Sequence, residues 1–101
     1  MKKINFSKIV VLDIDGNQYM VPQVKDNEQK LVPYDFAKVL GNGLFYKGQD
    51  IHLSELGQKI YHHEEVELTD EDIQNIRKFI NESFVPFVLL SVNPQLDEMM
   101  K

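Results

Sequence analysis

Two aspartates two residues apart, Asp13 and Asp15, follow the apolar run Ile9–Leu12 and precede Gly16-Asn17. A strand ending on paired carboxylates can hold a divalent cation and offer one carboxylate as a nucleophile toward phosphate. The alternating oxygens of Asp-x-Asp-Gly-Asn are also the start of a calcium loop. A second run of ligand types is His62-His63-Glu64-Glu65, with His52 ten residues upstream of His62. On a helix only His62 and Glu65 would meet, a weak pair that falls short of a zinc site. Ser7, Ser54, Ser83 and Ser91 lack a nucleophile-elbow context, and there is no glycine-rich phosphate loop. Cysteine is absent, which removes thiolate ligands, cysteine nucleophiles and disulfides.

The stretch VVLDIDGN resembles the first motif of the haloacid dehalogenase family, in which two such aspartates serve a magnesium ion as nucleophile and acid/base. The resemblance ends at Asn17, where that family usually carries Thr or Val. Its parallel sheet also needs a βαβ unit that does not follow Gly16. An EF-hand counted from Asp13 would need Gly at position six and Glu at position twelve. Gln18 and Val24 stand there instead. The remaining reading is a tight turn at Asp15-Gly16, and neither aspartate is expected to be catalytic.

The elements around these residues follow from pattern. Ile9–Ile14 and Tyr19–Val24 are β-branched or aromatic runs flanking the turn, so they read as a hairpin. A two-residue turn sets Asp13 opposite Gln18, Leu12 opposite Tyr19 and Val11 opposite Met20, apolar against apolar. Pro22 marks the second strand as an edge, and Lys25–Lys30 reads as a loop. Asp35 caps a helix from Phe36 to about Tyr46, in which Gly41 and Gly43 imply a close crossing or a break. Asp50 caps a second helix from Ile51 to about His62. Thr69 caps a third, where Asp70, Glu71 and Asp72 favour the positive dipole end and Ile73, Ile76 and Ile80 form the stripe. Pro86–Met100 reads as a helix interrupted at Pro94. The fold expected is α+β: one small domain over residues 1–101, with an N-terminal β-hairpin followed by three or four packed α-helices.

Charge narrows the partners. The net charge is −5, and Glu64, Glu65, Glu67, Asp70, Glu71 and Asp72 fall in nine residues without a basic group. Such a face repels phosphate and favours a basic protein partner. The helix-turn-helix spacing of residues 51–83 is therefore set against DNA binding, since three acids open the second helix where phosphates would approach. Phe84, Phe87, Val88, Leu89, Leu90 and Val92 exceed what one side of a short helix buries, and Met99 and Met100 add an adaptable apolar end. Phe84, Phe87, Leu90 and Met99 are thus candidate contacts of a homo-oligomer. No apolar run approaches the roughly 20 residues of a membrane span, which points to a cytoplasmic protein.

The succession LGNGLFYKGQDIHLSEL, KIYHHEEVELTDEDIQNI and FVPFV is similar to small proteins encoded by phages and prophages of Bacteroidetes-type bacteria, over roughly residues 36–90. That resemblance implies a phage-associated accessory or structural protein, with no catalytic residue to carry over. The function expected is a non-enzymatic protein-interaction or assembly module without cofactor or metal. Glu64, Glu65, Glu67, Asp70 and Glu71 form its candidate partner-binding face. The alternative is a regulator of nucleic-acid machinery, either a weak helix-turn-helix DNA binder or an acidic inhibitor of a basic protein.

Overall fold

The computed structural model of the chain describes residues 1–100. Strand β1 (Lys2–Ile4) and a 3-10 turn (Phe6–Lys8) are followed by strands β2 (Met20–Lys25) and β3 (Glu28–Pro33). Helices α1 (Phe36–Lys47) and α2 (Ile51–Tyr61), strand β4 (Val66–Leu68) and helices α3 (Asp70–Ser83) and α4 (Pro86–Met99) complete the order. This is the expected α+β arrangement of an N-terminal hairpin and four helices.

Each of the first three helices starts where its cap residue dictates. Asp35 Oδ1 accepts from the Lys38 amide at 3.1 Å, and Asp50 Oδ1 accepts from the Leu53 amide at 2.8 Å. Thr69 and Asp72 exchange side-chain-to-amide bonds, both 3.1 Å, in a full capping box. Helices α1 and α2 cross at two glycines. A Cβ on Gly41 would lie 2.4 Å from the Tyr61 nitrogen, and one on Gly57 would lie 2.8 Å from the Gly41 carbonyl oxygen. The glycines therefore mark a close crossing and not a break.

The hairpin lies further along the chain than the sequence pattern places it. Strand β2 pairs with β3 in the register Met20↔Pro33 to Lys25↔Glu28. Its tight turn is Asp26-Asn27, both with positive φ (54° and 64°), within the segment expected to be a loop. Ile9–Leu12 is extended but finds no strand partner. Its backbone is taken up by α4 side chains: Val10 N–H donates to Gln95 Oε1 at 3.0 Å, Gln95 Nε2 donates to the Val10 carbonyl at 2.6 Å, and Leu12 N–H donates to Ser91 Oγ at 3.0 Å. A single antiparallel bridge, Leu12↔Gln18, stands in place of the expected pairing and one residue out of its register, with Tyr19 N–H donating to the Val11 carbonyl at 2.8 Å.

Two further differences concern α4 and β4. Helix α4 runs unbroken through Pro94. The ring removes the amide that would have met the Leu90 carbonyl, and the turn around it is tied by Gln95 Nε2, which donates to the neighbouring Ser91 carbonyl at 2.8 Å. Strand β4, in what the sequence presents as a plain connection, pairs antiparallel with β1, Lys3 facing Glu67. The core lies between these layers. Ile4, Phe6, Ile9 and Val11 pack with Leu40 and Leu44 of α1, Leu56 and Ile60 of α2, Ile76 and Ile80 of α3, and Val88, Val92 and Leu96 of α4.

Candidate functional site

The Asp13–Asn17 loop is built by its own first carboxylate. Asp13 Oδ1 accepts from the amides of Asp15 (3.0 Å) and Asn17 (2.9 Å). The Gly16 amide reaches the Asp13 carbonyl at 3.1 Å, and Gly16 alone there takes a positive φ, 81°. One oxygen of Asp13 is thus committed to shaping the loop, while Asp15 points into solvent. The loop is a turn, as expected, but an aspartate-closed one that joins a single antiparallel bridge, in place of a two-residue turn between paired strands.

The histidines separate. Helix α2 ends at Tyr61, and His63 has a left-handed φ of 62°, so His62 and Glu65 no longer share a helix face. His63 Nε2 instead lies 2.6 Å from Asp35 Oδ2, and His52 Nε2 lies 2.9 Å from Asp72 Oδ1. Each histidine joins an end of α2 to a carboxylate that caps or braces another helix. Burial alone would raise the Asp72 carboxyl, but the bonds from Thr69 and the nearby His52 outweigh it and hold it below its ordinary value. Among the described residues no three His, Asp or Glu side chains gather as a metal site.

The acidic segment divides as well. Glu64 and Glu65 lie exposed in the connection after α2, and Asp70 and Glu71 lie exposed on the first turn of α3. Glu67, between them on β4, sits 3.8 Å from Lys3 of β1. Asp72 is buried. The strand pairing brings a cation into a run that contains none in sequence, so the face is not uniformly negative.

Of the candidate oligomer contacts, Phe84 packs on Phe36 with ring centroids 4.9 Å apart, and Met99 is partly buried against the core. Phe87 and Leu90 stay exposed, at 42% and 79%. With Leu12, Ile14 and Tyr19 they line an open, mostly apolar cleft of about 570 Å³, to which Asp13, Gly16 and Ser91 also contribute. Tyr19 joins it to the base of the hairpin: its ring meets Phe87 edge-on at 5.2 Å and tilts against Tyr34 at 5.6 Å. Burial, followed by the neighbouring Tyr19, raises the Tyr34 phenol above its ordinary value.

The hairpin itself carries the feature that the sequence reading missed. Directly paired residues share a face. Val21 and Val32 are its two half-buried residues, so their face turns inward, followed by Gln23, Lys30, Lys25 and Glu28 toward the tip. The opposite face carries Met20, Pro33, Pro22, Leu31 and Val24, with Gln29 its single polar member, and every one of them is exposed. Val24 is 74% and Leu31 67% open to solvent. Tyr34 N–H donates to the Tyr19 carbonyl at 2.9 Å, which sets the ladder alternation and leaves both prolines at positions whose amides would point outward. The two edges are thereby blunted and the apolar face is left open. Had the turn been recognised at Asp26-Asn27, the alternation in the flanking strands would have shown it.

No helix among the described residues is long and apolar enough to cross a membrane. Compared with protein-family models, curated proteins and solved structures, the chain matches none.

Proposed function

We propose that the protein is a non-enzymatic protein-interaction and assembly module that acts through its β2–β3 arm and associates with itself. One observation carries this reading: five apolar side chains on the outward face of the arm, exposed together. A two-stranded hairpin with nothing on its apolar face is marginal in water. Contiguous apolar surface of that kind marks a contact site. Its edges are blunted by proline, so the face, and not the ladder, is the docking element. An assembly role is also what a kinship of residues 36–90 with small phage- and prophage-encoded proteins would imply. The exposed acids Glu64, Glu65, Asp70 and Glu71 would then steer a basic protein toward the module without forming the contact itself.

The test is the mass of the unaltered protein by multi-angle light scattering across a dilution series. The expected result is twice the chain mass of 11.8 kDa at high micromolar concentration, falling toward the chain mass on dilution. A constant chain mass throughout would overturn the self-association reading.

A further inference from the structure

We infer that two copies of this chain associate by reciprocal arm exchange, the apolar face of each hairpin seating in the Leu12–Ile14–Phe87–Leu90 cleft of the other. This rests on the interaction-module reading above and adds the partner and the pairing. Two observations lead to it. The molecule carries two exposed apolar surfaces of different shape, a projecting arm face and an open cleft, on either side of Tyr19. A projection and a recess on one chain are complementary to each other and not to themselves, which is the arrangement a two-fold exchange satisfies.

Area gives the second argument. A buried aliphatic side chain of this size accounts for roughly 60–120 Å² of apolar surface. The five arm residues therefore supply about 300–600 Å², and Leu12, Ile14, Phe87 and Leu90 about 240–480 Å². Either surface alone falls well short of the about 800 Å² per partner of a stable interface. Both together, each used once per copy, give about 540–1,080 Å², a range that brackets it.

The experiment uses two full-length variants at exposed positions, Leu31→Asp on the arm and Leu90→Asp in the cleft, with helix content checked by circular dichroism. Val24→Asp and Ile14→Asp form a second pair should either misfold. Each variant alone is expected to weaken dimerisation by about a hundredfold or more, as loss of a central apolar contact does. Mixed, they should form a heterodimer in sedimentation velocity, because the intact arm of one fits the intact cleft of the other. Its dissociation constant should be at least about tenfold weaker than that of the unaltered dimer, since one of two contacts is lost. If only one variant dissociates, or neither, the copies pair differently and the exchange is wrong. Two monomeric variants that stay apart on mixing would also refute it. An unaltered protein that is itself monomeric would overturn the interaction reading beneath it.

Discussion

Asp72 holds three loyalties at once. Its carboxylate accepts from the Thr69 amide, faces His52 at 2.9 Å, and sits buried at the start of α3. The depressed carboxyl is a statement about folding: the folded state binds that proton less readily than the unfolded chain does. The stabilisation is fully present above the ordinary value of 3.8 and is lost as pH falls through the depressed folded value. Asp72→Asn keeps an acceptor but loses the charge at the start of α3 and beside His52, and should cost about 1 kcal/mol near neutral pH. The gap between the two proteins in urea midpoint should then close as pH falls below about 4. A gap that stays constant across that range would show that the charge of Asp72 is not what matters. Asp13 is a different case. Its role is an acceptor for two loop amides, which Asn also provides, so Asp13→Asn should leave stability within about 0.5 kcal/mol while Asp13→Ala loses about 1 kcal/mol. Equal losses in thermal melts would contradict this.

Elements behave according to how local their signals are. The helix starts were legible because the caps Asp35, Asp50 and Thr69 act within three residues of themselves. The Gly41–Gly57 crossing was half legible: a glycine announces close approach but does not say to what. Gly57→Ala tests it. A Cβ there would lie 2.7 Å from Leu44 Cβ and 2.8 Å from the Gly41 carbonyl oxygen, and backbone cannot swing aside as a side chain can. Overpacking of about 3 kcal/mol set against about 1 kcal/mol of helix propensity leaves a net loss near 2 kcal/mol. The melting temperature should fall by about 10 °C. A gain in stability would mean that the helices can separate freely there. The β-structure was less legible because its decisive contacts are distant. Asp15-Gly16 offers a strong turn signal, yet the strand before it is claimed by Gln95 and Ser91, some 80 residues on. Nothing within the run from Glu64 to Asp72 reveals that Lys3 will sit beside Glu67. The arm's apolar face was hidden for a local reason, since its turn at Asp26-Asn27 was taken for part of a polar loop.

The whole molecule is a packed helical body with an arm. Its radius of gyration, 13.9 Å, exceeds the about 13 Å of a compact chain of this length, in keeping with a hairpin that buries little of itself. Charge matters at this scale through steering. Reversing Glu64 and Glu65 to Lys should leave the fold and the self-association equilibrium intact, because neither residue touches the core or lines the cleft. A slower, less salt-dependent association with a basic protein partner is the expected change. The arm is where the account stands or falls, and amide hydrogen exchange at two protein concentrations probes it directly. An unsupported two-stranded hairpin opens readily, so the ladder amides of Val21, Gln23 and Lys30 gain protection only when another chain covers the arm. The expected result is slow exchange at high micromolar concentration and rapid exchange after dilution, while the core amides of Leu44 and Ile80 do not change. Equal exchange of the arm amides at both concentrations would contradict it.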